Sequence, residues 1–247
     1  MIKFIDKPNL PEGRVASVIC GQIPCECELF FKENGIEILN FEPNNHIDIA
    51  VSTHADMCAL HFGGNKVAVD KNQTNLIHEL ELRGFDVVKT IEPIAGEYPE
   101  DVKLNVALFG KNAVGAFSYS DKVVLDRITE FNQYTVKQGY TKCSILPVNE
   151  KALITDDVSV FKTLKNAFDI LLIEKGDIVL GHHEYGFIGG ASAKISKNEI
   201  YFFGDIRLHR NSDEILAFLE KHHCKAVYPK NIQLTDVGGI VSLTEYI

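Results

Sequence analysis

Tryptophan is absent from the 247 residues, and no apolar run approaches the ~20 residues that a membrane-spanning helix requires. A membrane partner is therefore not expected. The N-terminal stretch MIKFIDKPNLPEG has no apolar core of a secretory signal, so the expectation is a cytoplasmic protein with reduced thiols. Cysteine is short of pattern rather than of number. Six are scattered along the chain, and only Cys25 and Cys27 come close together, as C-x-C with no matching pair downstream. Neither a metal nor a cofactor is expected from that spacing. Basic residues are the minority, 25 Lys and Arg against 34 Asp and Glu, a formal net charge of -9. No basic stripe of the kind that phosphate backbones select is present, which argues against nucleic acid as a partner. The acidic excess suits a cationic small molecule, although it also serves solubility. Linkers, low-complexity tracts and charge blocks are missing too, so the chain reads as a single domain over residues 1–247.

What is present is ordinary in bulk, 45% hydrophobic and 24% charged, and distinctive in arrangement. Five segments share one grammar of a helical stretch, a Gly or polar break, and a short apolar strand. PCECELFFKENG leads into IEILNF, TNLIHELELRG into FDVVKTI, and DRITEFNQYTVKQG into YTKCSIL. SVFKTLKNA leads into FDILLIEKG, and NSDEILAFLEKHH into CKAVYP. Gly35, Gly84 and Gly139 stand where a helix end favours the left-handed conformation. Asp126 and Ser212 are candidate N-caps. The following strands are expected to begin near residues 36, 85, 140, 168 and 224, a period of about 50 with one trimmed unit. Pairs of strands precede most of the helices, so each unit reads strand-strand-helix-strand. The fifth is complete only if VGGIVSLTEYI from the C-terminus pairs with RVASVICGQ near the N-terminus. Such closure would remove an exposed sheet edge. The fold class expected is α/β, a five-bladed α/β propeller of ββαβ units with pseudo-fivefold symmetry.

Within this frame His54-Ala55-Asp56 stands out, read as the end of an apolar strand HIDIAV. Alternation along a strand would put the imidazole and the carboxylate on one face. A strand-end His that satisfies a loop is the plainer reading of the same residues. The pairs His182-His183 and His222-His223 are expected to diverge on strand or helix, which argues against a shared metal. His61 is expected at a pocket rim, and Asp156-Asp157 reads as an acidic helix start.

These residues, in this cyclic order, resemble the pentein superfamily of guanidino-group-modifying enzymes, which includes deiminases and amidinotransferases. His54-Ala55-Asp56 is similar to the deiminases' H-x-D strand. GYTKCSILPVNE resembles the strand that presents the family's nucleophile, which places it at Cys143. LTDVGGI is similar to an acidic-Gly-Gly element, which puts Asp236 in a substrate-binding role. That element comes first in most members and last here, so the resemblance implies a circular permutation. One departure falls in Phe187-Ile188-Gly189-Gly190-Ala191-Ser192, where the family pattern has an acidic residue. Gly189 and Gly190 would let backbone approach a ligand, and Glu184 upstream would supply the missing charge. By resemblance, Cys143 attacks an amidine carbon as thiolate and His54 shuttles the proton. Asp56 and Asp236 hold the C–N cation. The activity implied is that of a Cys-dependent hydrolase or transferase for a guanidine- or amidine-type small molecule. The alternative is a non-catalytic ring that binds a ligand through a degenerate site. Cys143 would then be a small core residue and Asp236 a turn-former. A metal-dependent hydrolase ranks last. An exposed edge or helix face would support a homodimer.

Overall fold

The computed structural model describes residues 1–247. In chain order, β1 (Ile2–Phe4) and β2 (Val15–Ile19) precede α1 (Cys25–Glu33) and β3 (Glu37–Leu39). Next come α2 (Ala55–Cys58), β4 (Ala59–Gly63), β5 (Lys66–Val69), α3 (Thr74–Leu82) and β6 (Asp86–Lys89). β7 (Ala107–Phe109), β8 (Asn112–Gly115), α4 (Lys122–Arg127) and β9 (Asn132–Thr135) follow. The fourth run is α5 (Thr141–Ser144), β10 (Ile145–Asn149), β11 (Ala152–Thr155), α6 (Val158–Leu164) and β12 (Asp169–Leu172). The chain finishes with β13 (Ser192–Ser196), β14 (Glu199–Phe202), α7 (Ser212–Lys221), β15 (Lys225–Val227) and β16 (Val241–Tyr246).

The architecture is mixed α/β with five small sheets. Four of them have three strands each, β4-β5-β6, β7-β8-β9, β10-β11-β12 and β13-β14-β15. In every one the first two strands are antiparallel and the third, reached through a helix, runs parallel to the second. A crossover helix is what a parallel return requires. The remaining sheet has the order β1-β16-β2-β3, so its antiparallel pair is drawn from both ends of the chain.

The strands are short; β2, β8 and β11 are buried at every residue because both faces are covered, whereas the outer strands β6, β9 and β12 are exposed or half-buried. Helices α3 and α7 show one apolar stripe each. Leu76, Ile77 and Leu80 of α3, and Ile215, Phe218 and Leu219 of α7, recur at the spacing of a single helical face. Full burial of each such side chain is worth about 1.5–3 kcal/mol. The packing follows a succession. One core joins the first sheet to β4-β5-β6 through Ile19, Leu243, Val67 and Leu80. Others join β4-β5-β6 to β7-β8-β9, and that sheet to β10-β11-β12. Ile154 and Phe202 belong to the core that links β10-β11-β12 with β13-β14-β15. A fifth, with Val15, Phe31, Tyr201 and Phe203, connects β13-β14-β15 back to the first sheet.

Several expectations about local structure need correction. HIDIAV is not a strand. Val51 N–H bonds Asp48 O, Ser52 N–H bonds Ile49 O, and His54 N–H bonds Val51 O, so this segment is a series of turns. The third strand of the third sheet is β9 at 132–135, not a strand near 140, because Asp121 rather than Asp126 starts the helix. The Asp121 carboxylate accepts from Val123 N–H, and Asp126 instead pairs with Lys122 one turn earlier. Gly139 consequently ends no helix and packs against Tyr98. Gly35 and Gly84 do take positive φ, 69° and 87°, just beyond α1 and α3. Asn211, not Ser212, precedes the first residue of α7.

Candidate functional site

Two four-residue helical turns hold the candidate residues. α2 and α5 each lie directly before the first strand of a sheet, β4 and β10 respectively. His54 enters α2 in an extended conformation, and Asp56 lies inside it; Cys143 lies inside α5. Helical winding therefore sets these side chains, in place of the strand alternation expected for H-x-D. Asp48 accepts from Ala50 N–H at 2.8 Å, a local side-chain bond that starts the turns leading to His54.

The donor atoms of His54, Asp56 and Cys143 lie within 4.8 Å of one another, and all three residues are buried. Cys143 Sγ–H donates to Asp56 Oδ2 at 2.9 Å. Asn105 Nδ2 donates to the same sulfur at 3.3 Å, while Asn105 Oδ1 accepts from Lys142 N–H at 2.8 Å. This one amide therefore positions the turn and contacts its thiol. His54 Nδ1 stands 3.8 Å from Asp236 Oδ1 and makes no hydrogen bond. Asp236 is held by backbone amides on both oxygens, Gly238 N–H on Oδ1 at 3.0 Å and Phe187 N–H on Oδ2 at 2.8 Å. It forms a turn and also lines the cavity described next.

That cavity measures about 250 Å3. Cys143, His54 and Asp236 line it, with Tyr140, Tyr185 and Phe187 as aromatic walls and Asp48, His183 and Glu184 also contributing. Glu184 is exposed, so it stands at the mouth. Asp56 lies behind Cys143 and is not among the lining residues. Gly189 and Gly190 do not line the cavity either. A Cβ at Gly190 would overlap the Asp236 carboxylate, and one at Gly189 would overlap the carbonyls of Lys142, Cys143 and Ile145. Gly190 N–H bonds Cys143 O at 3.0 Å. The close approach these glycines permit is thus to the chain's own Asp236 and Cys143. Gly238, at φ 74°, makes room in the same way for His54.

Burial dominates the electrostatics. It drives the Cys143 thiol well above its ordinary range, and the carboxylates of Asp56 and Asp236 push it further. Without a ligand these effects favour the thiol over the thiolate that attack on an amidine carbon requires. Burial also raises Asp56, opposed by His54 and Lys142. Burial lifts Asp101, although Tyr140 O–H donates to its Oδ2 at 2.6 Å. Asp156 is pushed up to about 7 by burial, in spite of a bond from Ile188 N–H. Lys175 Nζ sits 4.8 Å above the Tyr185 ring, so this aromatic wall already faces a cation.

Other histidines fall elsewhere. His61 is buried in β4 with Nε2 bonded to Gly64 O, away from the cavity rim expected for it. His209 Nδ1 accepts from Asn211 N–H, and Arg207 pairs with Asp205. His222 Nε2 meets Asp169. His182 and His183 do not diverge; their rings stack at 4.5 Å because they sit in a turn rather than on a strand or helix. Asn105, Tyr140, Asp101 and Asp48 were not anticipated. Asn105 carried a signal, a polar residue inside the apolar run LNVALFG.

The model of a family of unknown function (DUF6873) matches residues 18–241. No match was found among curated proteins. Among solved structures, an inosamine-phosphate amidinotransferase from Streptomyces griseus is 9% identical over 95% of each chain, with a TM-score of 0.57. An agmatine deiminase from C. jejuni with substrate bound is 11% identical over 100% of this chain and 97% of its own, with a TM-score of 0.57. DDAH from Pseudomonas aeruginosa, complexed with citrulline, is 10% identical over 95% of this chain and 100% of its own, with a TM-score of 0.56. These are pentein-superfamily proteins, and at such identities the likeness is one of fold. The chain has the pentein fold.

Proposed function

The chain belongs to this family of unknown function, DUF6873, whose membership brings no activity with it, and we propose that it performs Cys-dependent chemistry on a guanidine- or amidine-type small molecule. The observation that carries this reading is the convergence of the Cys143 sulfur, the His54 ring and the Asp236 carboxylate on one acidic cavity with aromatic walls. Three such residues, distant along the chain, meet in a fold shared with guanidino-group-modifying enzymes. The five units form the blades of a single-domain propeller, and the succession of shared cores that returns from the last sheet to the first supports that ring.

A planar C–N cation fits the cavity on two counts. Its charge offsets Asp236, Asp56 and Glu184, and its face stacks on Tyr140, Tyr185 or Phe187. Its charge also solves the problem of the thiol. Burial and the neighbouring carboxylates hold the Cys143 proton on, so a bound cation beside the sulfur favours the thiolate and the nucleophile appears only when there is something to attack. The Cys143 proton passes to His54 as the thiolate adds to the sp2 carbon, and the leaving ammonia or amine departs with that proton. An S-linked thiouronium remains. Water, losing a proton to His54, adds to that carbon and expels the thiolate, which yields a ureido product. An acceptor amine in place of water gives amidino transfer instead.

The test is turnover with a panel of cationic guanidines and amidines, read as ammonia or amine release and by mass spectrometry for an adduct on Cys143. Release abolished in Cys143→Ala with unchanged melting supports the enzyme. Binding of the same compounds with no release and no adduct would overturn it in favour of a binding cavity.

A further inference from the structure

Across the rim of the cavity, three side chains make an arrangement that the chemistry of Cys143 does not use. Asp48 Oδ2 lies 3.4 Å from His182 Nε2 and 3.2 Å from His183 Nε2, and one donor atom from each residue falls within 4.8 Å of the others. We propose that Asp48, His182 and His183 form a site for a Zn2+-class transition-metal cation at the mouth of the cavity. Three arguments support it.

The first is size. Zinc binds imidazole nitrogen and carboxylate oxygen at about 2.0–2.1 Å, so neighbouring ligands on a tetrahedron stand roughly 3.3–3.4 Å apart. The two separations, 3.4 and 3.2 Å, lie close to that edge. The second is charge. Two rings stacked at 4.5 Å and aimed at one carboxylate oxygen would, as ion pairs, place two imidazolium cations side by side. A metal takes both rings as neutral ligands and needs only one carboxylate beside them. The third is orientation. Asp48 Oδ1 is occupied by Ala50 N–H, which turns Oδ2 toward the rings, and His183 N–H is tied to Leu180 O. Fixed partners of this kind are what hold metal ligands in place.

Three protein ligands leave a coordination position for water or for an anionic group of a ligand in the cavity that Asp48 and His183 border. The cation would tie the turns ahead of His54 to the turn that carries Glu184 and Tyr185, across the rim. The site is independent of the reading given to Cys143 and is tested without turnover.

The competing metal position is the buried trio of His54, Asp56 and Cys143, which would bind a metal through the Cys143 sulfur as thiolate. Co2+ titration of the full chain separates the two. Binding at the rim gives visible d–d bands without a thiolate-to-cobalt charge-transfer band, and it persists in Cys143→Ser. Zn2+ is expected to displace Co2+ at one equivalent per chain and to raise the melting temperature. His182→Ala, His183→Ala and Asp48→Asn should each weaken binding by on the order of 10-fold or more. Because these three side chains are partly or largely exposed, the variants are expected to fold. The proposal is overturned if the apo chain binds no Zn2+ at micromolar concentration. It is also overturned if binding survives the histidine replacements, or shows a thiolate band and disappears with Cys143→Ser.

Discussion

At the level of single residues the decisive feature is a thiol that donates to a carboxylate. Burial raises the proton affinity of both groups, and Asp56 raises that of Cys143 further, whereas the S–H bond from Cys143 works the other way on Asp56. Asp56→Asn removes the negative charge while keeping an oxygen for the S–H bond, so the thiol pKa should fall. Iodoacetamide alkylation of Cys143 in the ligand-free protein is expected to be slow at pH 7. In Asp56→Asn it should quicken by on the order of 10-fold for each unit of the fall, with the rate–pH profile moved to lower pH. An unmoved profile would mean that Asp56 does not control the sulfur. Asp156 offers a second reading by pH. Its folded pKa, about 7, lies above the ordinary 3.8, so the folded state holds a proton that the unfolded chain releases earlier. Its contribution to stability is therefore full below about pH 4 and is lost as pH rises toward 7. Asp156→Asn should flatten the decline in melting temperature across that window. A slope equal to that of the parent would remove Asp156 as its cause. The resemblance, and not residue type alone, singled out Cys143 and Asp236, because six cysteines and 34 acidic residues offer the same side chains. Asn105 was legible only as a polar residue inside an apolar run, since its job exists only once α5 is packed against it.

Among the elements, the smallest do the positioning. α2 and α5 are one turn each and cannot be stable alone, because nucleating a helix costs more than a single turn returns. Their geometry is imposed by neighbours. Asn105 caps α5 from the segment ahead of β7, and Gly238 admits His54 at the entry to α2. Gly238→Ala should cost about 1–3 kcal/mol for its positive φ alone, before any overlap with His54. Thermal unfolding reads the cost, and altered ring shifts of His54 by NMR read the displacement. Retained stability and unchanged shifts would refute the packing argument. The longer elements behave more simply. Asp157 caps α6 by accepting from Ser159 N–H and Val160 N–H, so Asp157→Ala should lose about 0.5–2 kcal/mol in thermal unfolding. The contrast explains what the sequence could reveal. Strands β3, β6, β12 and β15 were legible because a helix stripe and an end signal precede each of them. HIDIAV was not, because Asp48 bonds the backbone two residues on and converts an apparent alternation into turns.

The whole molecule is organised by its two ends. Met1 and Ile247 are hydrogen-bonded through backbone, with Ile247 N–H to Met1 O at 3.0 Å and the N-terminal ammonium to Ile247 O at 3.2 Å. β16 lies between β1 and β2, so a strand from the end of the chain completes a sheet begun at its start. This arrangement was visible in sequence only as an unpaired VGGIVSL and a unit lacking one strand. It leads to a specific expectation. Joining Ile247 to Met1 through a short glycine linker, and opening the chain between Lys230 and Asn231, leaves every sheet and every shared core intact. Both residues at the new opening are exposed. The Asn231 nitrogen, which donates to Asp205 Oδ2 at 2.9 Å, would still do so as a terminal ammonium. In the permuted chain the acidic-Gly-Gly segment around Asp236 precedes His54, and His54 precedes Cys143, the order that the resemblance gives for most pentein members. Loop closure changes little when the joined ends are already adjacent, so the permutant should melt within a few degrees of the parent. Cys143 should show the same alkylation–pH profile in both chains. A permutant that folds but exposes Cys143 to rapid alkylation at pH 7 would show that chain order, and not packing between successive sheets, assembles the cavity.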